Sequence, residues 1–387
     1  MHVEKVLHKM LTDVMHLKRL TSLVLMVNTV LHTKRLSLTQ LGRSLALPIQ
    51  ERSGIRRADR LMGNHKLHGE RLAVYRRLCQ SLVGATLQPW IIVDWSHIPN
   101  THLHVLRAAL VTEGRALTLY EEVHDEKKQE HAQVHRAFLD TLHALLPMAC
   151  RPIIVTDAGF HNPWFRQVLT LGWDYVGRIR GRKHYCQTGQ HTWQACQRLW
   201  SQASRRVMAL GAVRLSRTAP LETYFYLIKD KSKGRHSKRY DSMAQEYRKT
   251  ASDPWLLASS LSHRQAANRV VKIYRTRMQI EEGFRDLKSG RYGFSFEHAR
   301  SQQPKRVEIL LLIAALASVL AWLCGWIAEQ RQLHFQFQAN SIKDRRVLSL
   351  FYLGCQVIRR KIKLVVSMDL LDQATSQCCP DEGYVYV

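Results

Sequence analysis

Acidic residues are scarce in this chain. Its 387 residues include 31 Asp and Glu against 58 Lys and Arg, which gives a formal net charge of +27. Few cytosolic enzymes that act on small metabolites have this balance, whereas a basic surface concentrates polyanions and displaces counterions from phosphate backbones. The charge therefore favours a nucleic-acid partner and leaves a ribosome-like or merely basic protein as the alternative.

Regularly paired cysteines are also missing. The eight cysteines are scattered without a framework of spacings, so we expect them to be reduced, as in a cytosolic protein. One local group, His184, Cys186, His191 and Cys196, has zinc-ligand residue types but no C-x-x-C spacing. Zinc there is the minor alternative.

The first eighteen residues lack the charged-then-apolar pattern of an export signal, so export is not expected. A long apolar run is nevertheless present at 309–328, ILLLIAALASVLAWLCGWIA, and its twenty uncharged residues could span a bilayer. Its serine, glycine, cysteine and five alanines suit tight packing inside a large domain. We favour the buried helix and expect no membrane partner.

Residues 1–85 indicate helices. Apolar residues at helical spacing predict one of them: Leu20, Leu23, Val24, Val27 and Leu31. Ser37 can cap the start of another, with Leu38, Leu41 and Leu45 on one face. Many arginines and lysines between positions 52 and 77 suit contacts with phosphates, although a solvated helix face explains any single one equally well.

From Trp90 the pattern changes to short β-type runs. Strands are predicted at 90–94, 105–111, 116–123, 152–157 and 173–180, and helices near 130–146 and 165–169. A glycine-bearing turn at 113–115 joins the second and third strands into a hairpin. This order of elements predicts a mixed α/β sheet.

A different composition marks residues 184–260. β-Branched and aromatic runs at 207–215 and 222–228 predict further strands, and the basic run Lys229–Arg239 predicts an exposed loop that faces DNA or is disordered. We interpret this segment as a β-rich insertion. A long helix from about His263 to Ser289 is then predicted to resume the main domain.

Two acids end apolar β-type runs, Asp94 after IIV and Asp157 after IIVT. Ligands and metals collect at that edge of an α/β sheet. A single Asp in such a place is more often a turn residue or a helix cap, but two similar strand ends raise the odds of a site.

A third acid, Glu281, lies on the predicted long helix. At about 100° per residue, four residues fall within roughly a 60° arc: Tyr274, Arg277, Glu281 and Lys288. Arg285 lies near the same face. Taken alone, the pattern also fits an exposed helix stabilised by pairs such as Glu281 with Arg285.

These four residues keep the intervals Tyr, two residues, Arg, three residues, Glu, six residues, Lys. The spacing resembles the signature of the DDE transposases of bacterial insertion sequences, specifically the insertion-sequence-four family. The runs IVDWS, LRAALVTEGRALTLYEE, IVTDAGF and DPWLLAS follow that family's order. The resemblance covers most of the chain and is weaker toward both termini.

The resemblance implies an α/β fold with an RNase H-like mixed-sheet catalytic domain. Its first part would be 86–183 and its second part 261–330, separated by the β-rich insertion 184–260. A helical DNA-binding region, 1–85, would precede it, and a helical C-terminal tail, 331–387, would follow.

It also implies that Asp94, Asp157 and Glu281 are the catalytic and metal-binding residues of a cut-and-paste transposase. They would hold two Mg²⁺ ions, for which Mn²⁺ can substitute. Mg²⁺ prefers oxygen ligands and keeps several waters, so three carboxylates can bind two ions and leave room for a scissile phosphate. The expected partners are double-stranded DNA, as element ends and as target, and a second copy of the chain in a homodimer.

The remaining residue roles are implied in the same way. Tyr274, Arg277 and Lys288 would contact phosphates near the cut end, and Arg285 would add a DNA-binding cation. Trp255 would support a base turned out of the stack during hairpin formation, with a buried core tryptophan as the alternative.

Two rivals to an active transposase are a membrane protein anchored by 309–328 and a non-catalytic DNA-binding regulator derived from a transposase. The regulator would keep the basic surface and lose a carboxylate, whereas all three acids are present. We expect a cytoplasmic, nucleoid-associated bacterial protein.

Overall fold

The computed structural model describes residues 3–229, 253–262, 266–339 and 341–378. Contacts divide the chain into two compact units. The first unit is Met1–Cys150 with Met278–Val387, and the second is Arg151–Arg277. The basic run predicted as an exposed loop lies, after Lys229, outside the described residues.

Five helices open the first unit: α1 (Val3–Leu11), α2 (Leu17–Thr33), α3 (Leu38–Arg43), α4 (Glu51–Met62) and α5 (His65–Val83). All five apolar residues that predicted a helix are buried along α2, which confirms that prediction. Ser37 occupies the position before α3, but its side chain makes no capping hydrogen bond. Leu45 lies beyond the end of α3 at Arg43, so the predicted cap and the three-leucine face are wrong in these details.

Three antiparallel strands follow in the first unit: β1 (Trp90–His97), β2 (Leu103–Val111) and β3 (Ala116–Asp125). The predicted hairpin between β2 and β3 is confirmed. Gly114 in its turn has φ 71°, a left-handed conformation that glycine adopts without a steric penalty. A bulge at Ala108 and Ala109 shifts the register of β2 against β3. After these strands comes α6 (Ala132–Leu145), as predicted.

Among its described residues, the first unit also contains four helices from the C-terminal half of the chain: α9 (Met278–Lys288), α10 (Pro304–Gln330), α11 (Leu350–Arg359) and α12 (Met368–Cys378). The apolar run forms the middle of α10. By length and composition α10 could cross a membrane, yet it is mostly buried inside the unit, where it packs on α2, α4, α5, α11, α12 and β3.

Small residues explain how α10 and α11 come so close. A Cβ at Gly325 would lie 1.9 Å from the Leu350 carbonyl oxygen, and one at Gly354 would lie 1.7 Å from the Ala321 carbonyl oxygen. Both distances are impossible for real atoms, so only glycine allows this crossing. The packing agrees with the preference for a buried helix.

The second unit contains seven strands and two helices among its described residues. They are β4 (Ile153–Thr156), α7 (Asn162–Thr170), β5 (Asp174–Ile179), β6 (His184–Gln187), β7 (Gln194–Ala195), β8 (Met208–Leu215), β9 (Leu221–Ile228), β10 (Trp255–Ser259) and α8 (Ala266–Arg275). β4 and β5 pair in parallel, whereas β5, β10, β9, β8, β6 and β7 pair antiparallel in that order. The predicted α/β class with a mixed sheet, as in an RNase H-like domain, is confirmed.

The long helix predicted from His263 to Ser289 is wrong. His263 lies outside the described residues, and the helix breaks between Arg275 and Met278. At the break, the Thr276 hydroxyl donates to the Ile273 carbonyl oxygen at 2.6 Å. Serine and threonine side chains compete in this way with the helical backbone pattern. Tyr274 and Glu281 therefore belong to different helices, α8 and α9, and the single helix face predicted for the four signature residues does not exist.

Candidate catalytic site

Asp94 lies where β1 changes from fully buried to half-buried residues. The backbone N–H of Trp95 donates to Asp94 Oδ1 at 2.8 Å. β1 continues for three residues beyond Asp94, since Ser96 and His97 still pair with β2. Asp94 therefore lies within β1. The apolar run had instead predicted that Asp94 ends the strand.

Asp94 is aligned with two buried charges on the neighbouring strands. It stands opposite Arg107 of β2, and Arg107 stands opposite Glu121 of β3. Arg107 donates from Nε to Glu121 Oε2 at 2.7 Å, and its Nη2 also lies 2.7 Å from that oxygen. Sequence reasoning missed this pair, although a charge inside each of the apolar runs LRAAL and LTLYEE was the available signal.

α9, which carries Glu281, packs on β1 and β3. Phe284 and Lys288 are three and seven residues further along, and thus on the same side of the helix as Glu281. The Phe284 ring covers Arg107, with the guanidinium carbon 4.5 Å from the ring centroid. Because α9 contacts β1 and β3, the helix is seated over the row of three charges.

Lys288 attaches the end of α9 to β1. Its Nζ donates to Ser96 Oγ at 2.7 Å and also to the His97 carbonyl oxygen. Burial, together with the nearby Arg107, lowers the pKa of Lys288 to about 8, although Asp94 opposes the shift. The ammonium is therefore close to both the Asp94 carboxylate and the Arg107 guanidinium.

Arg285 has a different environment from Lys288. It is exposed and pairs with Glu282, three residues before it. Arg115, from the β-hairpin turn, pairs with Asp286 of the same helix, with Nε 2.6 Å from Oδ2. Burial raises the pKa of Asp286 although Arg115 opposes the shift. The pairs of Arg115 with Asp286 and with Glu282, the latter at 3.5 Å, link α9 to the hairpin.

In the second unit, Asp157 directly follows β4, as predicted. It is half-buried, and its Oδ1 accepts the backbone N–H of Gly159 at 2.8 Å. This contact is the turn geometry that an Asp after a strand commonly adopts.

Tyr274 and its neighbours form a compact group in the second unit. Tyr274 is only 3% exposed, and its ring meets that of Trp255 edge-on with centroids 5.0 Å apart. Burial raises the pKa of Tyr274, Arg277 and Arg178 oppose this shift, and Asp157 adds to it. Arg277 also hydrogen-bonds the Tyr274 side chain, so both cations and Asp157 lie around this phenol. Trp255 itself is half-buried at the start of β10.

The donor chemistry of the predicted acids suits a hard divalent cation, since all three are half-buried carboxylates. Among the residues that the structure describes, no three His, Cys, Asp or Glu side chains form a group that could hold a metal ion. The alternative zinc cluster has its own obstacles. The Cys186 thiol is 2.9 Å from the Gln190 carbonyl oxygen, and burial raises the pKa of Cys196 to about 12, whereas zinc binds thiolates.

Six cysteines, Cys79, Cys150, Cys186, Cys196, Cys324 and Cys355, are free and buried. This agrees with the expectation of reduced thiols for these six.

No curated protein matches the chain. The family model described as transposase DDE domain matches residues 86–320, which span β1 to β3, the whole second unit, α9 and most of α10. Members of such a family cut and join DNA, so DNA is the partner. Because the match covers more than half of its length, the chain belongs to the transposase DDE domain family.

Proposed function

We propose that this transposase moves an insertion sequence by a cut-and-paste route, with cleavage at both element ends followed by strand transfer. We place it in the insertion-sequence-four group, near the transposase of insertion sequence ten. The observation that carries the proposal is the seating of α9 over β1, because it sets Glu281 on the face of the helix that Lys288 ties to the strand bearing Asp94.

Asp94, Asp157 and Glu281 are the residues that would hold divalent ions, with Mg²⁺ as the proposed metal, Mn²⁺ as a substitute and two ions per site. When bound, such ions supply Lewis-acid stabilisation and a more acidic water. The carboxylates would otherwise repel one another and the DNA. Lys288 supplies positive charge near Asp94 in the first unit, as Arg277 and Arg178 do near Asp157 in the second.

The cations that cannot bind metal are proposed to hold phosphates. Arg277 and Lys288 are permanent or near-permanent donors, and Tyr274 supplies a hydroxyl already held by Arg277. Arg285, exposed on α9, is a weaker candidate because Glu282 is its present partner. Trp255 is proposed to support a base turned out of the stack if the ends pass through a DNA hairpin.

The remaining proposals concern organisation. Residues 1–85 would bind the element ends, 86–183 and 261–330 would form the catalytic domain around the insertion 184–260, and 331–387 would be the tail. Two copies of the chain would pair on two ends. A non-catalytic regulator stays the alternative that the experiment below separates from an enzyme.

The experiment compares cleavage products over time for Arg277→Ala and Lys288→Ala, resolving nicked, hairpin and excised DNA. Both variants should be slowed more in hairpin formation or assembly than in the first nick, and added Mg²⁺ should not restore them. Lys should replace Arg277 poorly, since an ammonium lacks the planar fork of guanidinium. Arg275→Ala, an exposed arginine two residues away, is the matched control.

Folded Arg277 and Lys288 variants that complete every step at the wild-type rate would contradict the phosphate-binding role. A wild-type protein that binds the ends but yields no products would favour the regulator.

A further inference from the structure

A row of three charged residues crosses the three strands of the first unit. Asp94, Arg107 and Glu121 are direct cross-strand partners on β1, β2 and β3. Side chains of directly opposed residues point to the same face, with Cβ atoms about 5 Å apart. α9 packs over this face, and its Phe284 lies on the Arg107 guanidinium.

The central cation of this row has two carboxylates within reach and is paired with one of them. Arg107 is 5% exposed and Glu121 is 1% exposed. Both Nε and Nη2 of Arg107 are directed to Glu121 Oε2. Glu121 is fixed in turn, because the Tyr75 hydroxyl lies 3.4 Å from its Oε1 and Arg71 donates to its carbonyl oxygen at 2.9 Å.

The partner of Arg107 matters because the guanidinium is buried. A buried guanidinium stays charged when its carboxylate partner is removed. Because an unpaired buried charge strongly destabilises the protein, the guanidinium then pairs with another anion within reach. The Asp94 carboxylate is the anion opposite it on the other side. An arginine that turned toward Asp94 would compete for the carboxylate with any divalent cation.

We infer that Glu121 is a positioning residue, which holds Arg107 on the β3 side of β2 so that Arg107 does not compete with a divalent cation for Asp94. The inference rests on the proposed metal-binding role of Asp94. Arg107 then contributes a fixed, neutralised ion pair under α9, and Asp94 keeps its charge for the metal. The same pair supports Phe284, and through it the helix that carries Glu281.

The test is a Mn²⁺ titration of the full-length protein without DNA, in which free Mn²⁺ is measured by electron paramagnetic resonance. Glu121→Gln keeps the side-chain shape and removes the charge that retains Arg107. Its Mn²⁺ affinity should fall at least about fivefold, because an arginine partner for Asp94 replaces a metal.

Glu122→Gln is the matched control. It removes the same charge one residue along β3, where the side chain points to the opposite face and contacts Tyr120 and His124. Its Mn²⁺ affinity should stay within about twofold of wild type, because this half-buried carboxylate lies on the face of the sheet away from Asp94 and Arg107. An equal loss in Glu122→Gln would mean that any nearby negative charge matters, and would overturn the inference.

The double variant Arg107→Met with Glu121→Gln removes the whole pair and should recover affinity to within about twofold of wild type, since well-packed apolar replacements of a buried pair are often tolerated. It also decides the question if Glu121→Gln alone does not fold. A double variant that folds and binds Mn²⁺ as weakly as Glu121→Gln would contradict competition by Arg107.

Asp94→Asn separates this inference from the proposed function. If Asp94→Asn leaves Mn²⁺ binding unchanged, the metal role of Asp94 is wrong. If Asp94→Asn weakens binding but Glu121→Gln does not, only the positioning role of Glu121 is wrong.

Discussion

Replacing Lys288 by methionine should stabilise the protein at neutral pH while impairing transposition, because the folded first unit disfavours the charged ammonium. Burial, reinforced by Arg107, lowers the pKa of Lys288 to about 8 from its ordinary 10.5. The difference of about 2.5 pKa units corresponds to about 3 kcal/mol, an upper bound because Lys288 is only partly buried.

The sign of the pH dependence follows from proton binding. Between about pH 8 and 10.5 the unfolded chain holds the Lys288 proton and the folded chain has lost it, so wild-type stability rises with pH in this window. Below pH 8 both states hold the proton, and the loss of stability caused by the charged, buried Lys288 is fully present. Methionine also forfeits the hydrogen bonds to Ser96 and His97, so we expect a net gain of about 1 kcal/mol at pH 7.

The measurement is urea unfolding of metal-free wild-type and Lys288→Met protein at pH 7 and 9.5. The stability of the methionine variant relative to wild type should fall by up to about 2 kcal/mol at the higher pH, so that its advantage at pH 7 becomes a deficit at pH 9.5. Lys363→Met, which removes an exposed lysine, should show no such trend. A stability difference between Lys288→Met and wild type that is independent of pH would refute the reasoning.

Two further predictions concern the loop after α9 and the basic charge. Gly293→Ala should destabilise the protein by about 3 kcal/mol or more, because its Cβ would lie 1.7 Å from the Asp286 carbonyl oxygen. Gly69→Ala, with nothing within 4 Å, should be neutral or slightly stabilising in the same thermal melt, and equal melting temperatures would contradict the contact. DNA affinity should fall steeply with salt, and replacing Lys231, Lys233 and Arg235 together should reduce the slope of log affinity against log salt by up to about 3. An unchanged slope would show that this segment does not touch DNA.

Sequence patterns predicted the elements in which one residue property repeats without interruption. The buried face of α2 follows from the spacing of its leucines and valines, and the hairpin follows from two β-type runs around Gly114. The apolar runs of β1 and β4 predicted these strands, because a strand buried on both faces is apolar at nearly every position. Asp94 and Asp157 were found as the first charged residues after these runs.

The wrong and missed predictions have local causes that do not alter the periodicity of the sequence. Neither glycine nor proline marks the break between α8 and α9, where the Thr276 hydroxyl donates a hydrogen bond to the Ile273 carbonyl oxygen. The partnership of Arg107 with Glu121 depends on the register of β2 against β3, which the bulge at Ala108 shifts. Register is set by tertiary packing as well as by turn geometry. The charges were visible in the sequence, but their partners were not.

The central claim is that DNA cleavage needs the carboxylates of Asp94, Asp157 and Glu281. It is tested most directly with a plasmid that carries the coding sequence together with its native flanking DNA on both sides. Purified wild-type protein with Mg²⁺ should release a fragment by cutting at both ends, and chelation should stop the reaction. Because even residues that only support metal ligands are worth about 10- to 100-fold, Asp94→Asn, Asp157→Asn and Glu281→Gln should each lower the cleavage rate at least a hundredfold while end binding persists. Cleavage near the wild-type rate by any one of these folded variants would contradict the account.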